Sequence, residues 1–104
     1  MIRHIVLTRF KPEMTEDEIA DIHAGLSALT TRLPGARGFT GGRSASPERI
    51  ERGYKHGFVI DFDGWEDLKA NADHPEHRAL GARIVENAEG GIDGVLVLDL
   101  EVAG

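Results

Sequence analysis

The sequence predicts an α+β fold: a four-stranded, antiparallel-type sheet with helices on one face. Three observations carry this reading. The apolar residues change period along the chain, from about two to about 3.6 and back. The resulting order, β-α-β-β-α-α-β, contains a split βαβ unit. A length of 104 residues, 40% hydrophobic and 29% charged, suits one ordinary globular domain spanning 1–104.

Residues 2–10 hold Ile2, Ile5, Val6, Leu7 and Phe10 and end at Lys11-Pro12. Such β-branched and apolar density reads as a strand. Ile5 and Leu7 fall on one face, Val6 and Phe10 on the other, so this strand should be central and covered on both sides. Thr15-Glu16-Asp17-Glu18 is a capping box that starts a helix. Ile19, Ile22, Leu26, Leu29 and Leu33 then recur at helical spacing until Pro34-Gly35 stops it. Residues 36–43 are glycine-rich and predict a weak edge strand. In the polar loop that follows, Ser46-Pro47-Glu48 reads as the start of one helical turn.

Residues 54–62 alternate as a third strand, with Tyr54, His56, Phe58, Ile60 and Phe62 on one face. Asp63-Gly64 caps a second helix whose apolar stripe is Trp65, Leu68 and Ala72. His74-Pro75 breaks it, since a residue before proline is pushed toward extended backbone. Pro75 then suits the first position of a third helix running to Ala88, with Leu80, Ile84 and Ala88 inward. Gly90-Gly91 ends that helix. Residues 92–102 form the last strand, with Leu96, Leu98, Leu100 and Val102 on one face.

This is the ferredoxin-like arrangement. It is expected to set the first and third strands side by side, parallel and central. His4 and His56, each near the start of its strand, would then meet at one end of the sheet. Helices on one face leave the other face bare, and apolar side chains there need a cover. A homodimer is therefore the expected assembly.

Composition removes several classes of function. The net charge of −6 disfavours a phosphate backbone, so no nucleic-acid partner is expected. No apolar run approaches the ~20 residues of a membrane span, and no signal-peptide layout opens the chain, so the expected location is cytoplasmic. Without cysteine there is no disulfide, thiol catalysis or thiolate metal site.

The chemistry rests on five histidines, because imidazole transfers protons near neutral pH. In His74-Pro75-Glu76-His77, His77 falls in the first turn of the third helix. The positive helix end favours neutral imidazole there, the form a base needs. The structural alternative is a histidine that fixes the helix start through a backbone bond. His74 reads as a turn residue whose ring meets a carbonyl of the second helix. His4 and His56 are either pocket residues or satisfied core histidines, and His23 reads as a boundary residue. Pro75 between His74 and His77 matches no usual two-ligand helix spacing, so no metal is expected. No cofactor is implied.

Several segments together resemble the stress-responsive α/β-barrel family, often called Dabb. They are Met1–Leu7 with Phe10-Lys11, Pro34-Gly35, Arg52-Gly53-Tyr54-Lys55-His56, the His74–His77 motif, and Asp99 within an apolar strand. The resemblance implies a ferredoxin-like subunit that pairs into a homodimeric α/β barrel. A few plant members of that family are polyketide cyclases, closing a ring by aldol condensation in a cavity between sheet and helices. By resemblance, His77 takes the place of their base, and His4 and His56 the places of cavity histidines. Their tyrosine three residues before the first motif histidine is Asn71 here. An amide donates a hydrogen bond but lends no acidic phenol proton to an oxyanion.

The expected function is thus binding of, or proton-transfer chemistry on, a carbonyl or aromatic small molecule in a histidine-lined pocket. His77 is the candidate base, with His4 or His56 orienting substrate or donating to an enolate. Asn71 and Tyr54 are candidate substrate contacts. Two alternatives stand beside it: a non-catalytic, stress-linked structural homodimer, and a cofactor-independent monooxygenase of the same superfamily.

Overall fold

A computed structural model describes residues 1–103. The elements are β1 (Ile2–Thr8), α1 (Glu16–Thr30), β2 (Ala36–Arg43), β3 (His56–Phe62), α2 (Trp65–Asp73), α3 (Pro75–Glu86) and β4 (Val95–Glu101), with a 3-10 turn at Gly91–Gly94. They form one four-stranded sheet in the order β2-β3-β1-β4, antiparallel throughout. The ferredoxin-like β-α-β-β-α-α-β reading therefore holds.

One expectation fails. β1 and β3 are adjacent and central but antiparallel: His4 lies opposite Ile60, and His56 lies opposite Thr8. In a split βαβ unit the parallel pair is β1 and β2, and β3 inserts between them running the other way. The starts of β1 and β3 are therefore at opposite ends of the sheet.

Even-numbered residues of β1 and β3 face the helices. Ile2, Val6, Phe58, Ile60 and Phe62 pack there against Ile22 and Leu26 of α1 and Ile84 of α3. Odd positions face away. Ile5, Leu7 and Val59 are only half-buried on that side, beside exposed Leu96, Leu98 and Leu100 of β4. Alternation along β4 sends Val95, Val97 and Asp99 to the helix side.

The helices follow their sequence signals with a few departures; α3, for one, ends at Glu86, short of Ala88. Thr15 caps α1 with both bonds of the capping box: Glu18 N donates to Thr15 Oγ1 (3.1 Å), and Thr15 N donates to Glu18 Oε1 (3.1 Å). Thr15→Ala should lower stability by about 0.5–2 kcal/mol in urea unfolding, with the slope unchanged. Another departure is that α1 ends at Thr30, before Leu33. Gly35 follows with φ +77, and Asp67 leaves no room for a Cβ there. The turn into β2 is thus fixed by glycine. A further departure is in α2. Trp65 and Ala72 are exposed, and the inward pair is Leu68 with Asn71. The segment around Ser46-Pro47-Glu48 makes a turn and no helix. None of the described helices is long and apolar enough to cross a membrane.

Candidate functional site

The register of β1 with β4 sets His4 directly opposite Asp99. Both side chains point to the helix side, and His4 Nδ1 lies 2.6 Å from Asp99 Oδ1. A carboxylate accepts only, so Nδ1 carries the hydrogen and donates it. The opposite ring nitrogen, Nε2, is thereby left as the acceptor of the neutral ring. The rings of Phe58 and Phe62 lie 6.2 and 6.1 Å from the imidazole and hold its plane.

His77 reaches the same place from α3. Pro75 starts that helix, and His74 is its N-cap: Glu76 N donates to His74 Nδ1 (3.1 Å). His74 is therefore a structural turn residue. Its ring accepts from the third helix, where a contact with a carbonyl of the second was expected. Two residues beyond Pro75, His77 turns inward, and its Nδ1 is buried without a hydrogen-bond partner among the described residues. Burial holds its pKa below the ordinary histidine range, and charge on His4 and His74 pushes it the same way. The helix end was the expected cause; burial is the leading cause found.

His4 and His77 line one cavity of about 220 Å³, walled by Val6, Phe58, Ile84 and Val97 among others. Its chemistry is two imidazoles in an apolar chamber, one oriented by a carboxylate and one held neutral.

His56 is not part of it. Four strand residues, about 13 Å, separate its level from that of His4. Its Nε2 lies 2.9 and 2.8 Å from the two oxygens of Glu16, and its ring stands edge-on to Phe10 at 5.6 Å. The hydrogen bond from His56 holds the Glu16 carboxyl below its usual range, with Arg43 assisting. His23, expected at a boundary, is buried between Phe39 and Phe58, at 5.8 and 5.7 Å from their rings. Desolvation lowers its pKa, and charge on His56 adds to the effect. The histidines thus divide into His4 with His77 at one end and His23 with His56 at the other.

The two candidate substrate contacts lie elsewhere. Asn71 is buried in α2 but does not line the His4–His77 cavity. Tyr54 precedes β3; its Oη donates to the Asp93 carbonyl (3.4 Å), and the Arg9 guanidinium sits over its ring. The residue that sequence reasoning left without a role is Asp99. Its signal was present, since a carboxylate set between Leu98 and Leu100 in an apolar strand needs a partner. Among the described residues no three His, Asp or Glu side chains converge to hold a metal.

A dimeric ferredoxin-like protein of unknown function from Jannaschia sp. CCS1 superposes with a TM-score of 0.90. It is 35% identical, over 97% of this chain and 98% of that one. A second such protein, from Thermobifida fusca, is 27% identical with a TM-score of 0.79, over 97% and 90%. A hydroxynitrile lyase from Passiflora edulis shares the fold at 21% identity and a TM-score of 0.83, over 98% and 93%. No curated protein matches the chain. The family model of the stress-responsive A/B barrel domain (Dabb) matches residues 2–102. The β-α-β-β-α-α-β chain, with its His74–His77 motif and its His4–Asp99 pair, belongs to the stress-responsive α/β-barrel family.

Proposed function

We propose that the His4–His77 cavity binds a small carbonyl or aromatic compound and moves a proton on it. The observation that carries this reading is that two imidazoles line one cavity: His77, buried and with its Nδ1 unpartnered among the described residues, and His4, held by a carboxylate. A buried polar atom without a partner costs about 1–3 kcal/mol, which a structural histidine would not retain without compensation. Neutral His77 accepts a proton from carbon next to the carbonyl. His4 enters the step as imidazolium, its Nδ1–H kept on Asp99, gives its Nε2 proton to the enolate oxygen and is left as the neutral ring. Asp99 does for His4 what an orienting carboxylate does for any catalytic imidazole. A hydroxynitrile lyase built on this fold shows that the scaffold accommodates an enzyme.

We further propose that the protein works as a homodimer through the bare face of the sheet, carried by exposed Leu96, Leu98 and Leu100. The Jannaschia and Thermobifida relatives are themselves dimeric.

Acetophenone in deuterated buffer tests the chemistry, with NMR following exchange of its methyl protons. The wild-type protein should accelerate exchange, and His77→Ala should lose that acceleration by about 10²-fold or more. The pH dependence has a definite sign. Only neutral His77 accepts a proton, and its pKa lies below the ordinary 6.5. The rate should therefore fall as the pH is lowered, with the midpoint of the fall below 6.5. Stability follows the same direction, because the unfolded chain takes up the proton first as pH drops below 6.5. Exchange at the buffer rate, together with shifted cavity resonances, would leave a binding pocket and remove the proton transfer. Exchange at the buffer rate with no shifts would remove both.

A further inference from the structure

A second cavity, of about 320 Å³, opens at the opposite end of the sheet, on the helix side of His56. We infer that it is a separate ligand site for a small organic anion, a carboxylate on a short apolar or aromatic body.

Charge is the first argument. Arg9, Lys11, Arg43 and Lys55 line this cavity, against only Glu16 and Glu89. That gathers four of the 12 cationic residues of a chain whose net charge is −6. Both carboxylates are engaged: Glu16 with His56 and Arg43 (2.8 and 3.3 Å), Glu89 with Arg9 (3.6 Å). Lys11 Nζ donates to the Glu86 carbonyl, which leaves its charge unmatched. A surplus of positive charge in a partly enclosed cavity draws an anion.

Preorganisation is the second. The Arg9 guanidinium lies over the Tyr54 ring, 5.5 Å from its centre. Its Nε packs on Gly53, where an added Cβ would come within 3.0 Å. The backbone of Arg9 is tied on both sides, its N donating to the Gly94 carbonyl (2.8 Å) and its O accepting from Glu89 N (2.7 Å). A guanidinium held this firmly loses little freedom when it takes an anion. Gly53, at φ +88, has the left-handed backbone that permits the packing.

The third argument is the apolar wall. Phe10, Met14 and Ile19 face the same space. A bare inorganic ion would leave that wall against water, whereas an organic body covers it. The volume lies at the lower end of the roughly 300–1,000 Å³ usual for small-molecule pockets.

The test uses the full chain, isotope-labelled, with benzoate, benzamide and inorganic phosphate as probes in separate NMR titrations. Benzoate should saturate and shift the amides of Arg43, Gly53 and Lys55. Benzamide and phosphate should each bind at least about tenfold more weakly, one lacking the charge and the other the body. Lys55→Gln and Arg43→Gln should each weaken benzoate severalfold, and added sodium chloride should do the same. Three results would overturn the inference: benzamide binding as tightly as benzoate, phosphate binding as tightly, or benzoate shifts confined to the His4–His77 cavity. Failure to saturate in a wild-type protein that shows its native spectrum would do so as well.

Discussion

Leu98→Glu should turn the protein into a monomer without unfolding it. Leu98 is half exposed on the bare face of β4, between Leu96 and Leu100, with Ile5 opposite on β1. In a single subunit the glutamate reaches water and costs little. In a pair, two carboxylates would sit unpartnered in an apolar seam. A penalty of about 2 kcal/mol for each subunit amounts to roughly a thousandfold in the dimer constant. Light scattering after size exclusion should read a dimer for the wild type and a monomer for the variant, both with the same far-ultraviolet circular dichroism. A wild-type monomer at micromolar concentration would refute the pairing. An unfolded variant would show instead that the bare face is needed by the subunit itself.

Phe62→Ala should be among the most damaging single substitutions in the subunit. Phe62 is 1% exposed, within the cluster that joins the sheet to α1 and α3. Removing a buried phenyl ring typically costs about 3–5 kcal/mol, a large part of the ~5–15 kcal/mol that holds a domain together. The melting temperature should fall by about 12 °C or more. The ring also stands against His4 at 6.1 Å. Where the variant stays folded at low temperature, His4 should therefore broaden or shift in the NMR spectrum. A change in melting temperature of under about 3 °C would mean the cluster is not the core described above.

Much of this was legible in the sequence. Local signals were read correctly where the chain's own chemistry decides them. Thr15 with Glu18 makes a cap whatever surrounds it, Pro75 starts a helix, and alternation in β3 fixes its inward face. Strand direction was implied by the element order, since a split βαβ unit runs β3 against β1, and the parallel expectation misassigned that topology. Reading them as parallel put His56 beside His4, and antiparallel pairing set it beside Glu16. Blindness to partners is what hid Asp99, whose meaning depends on the register of β4 against β1. In α2, Trp65 and Ala72 suggested the inward face by hydrophobicity alone. The short helix instead turns Leu68 and Asn71 toward the protein, and Trp65 Nε1 donates to Glu101 Oε1 (3.0 Å) at the surface.

β4 is an edge strand that carries two sets of residues in alternation. On the helix side Val95 and Val97 line the histidine chamber and Asp99 holds His4, while Leu96, Leu98 and Leu100 look out across the bare sheet. It is hydrogen-bonded along one side only, to β1. A neighbour pressing on the leucines would brace the strand from behind and keep the Asp99 carboxylate trained on His4. Assembly and proton chemistry would then share a single hinge line, and a lone subunit would hold every reactive group while aiming them less well.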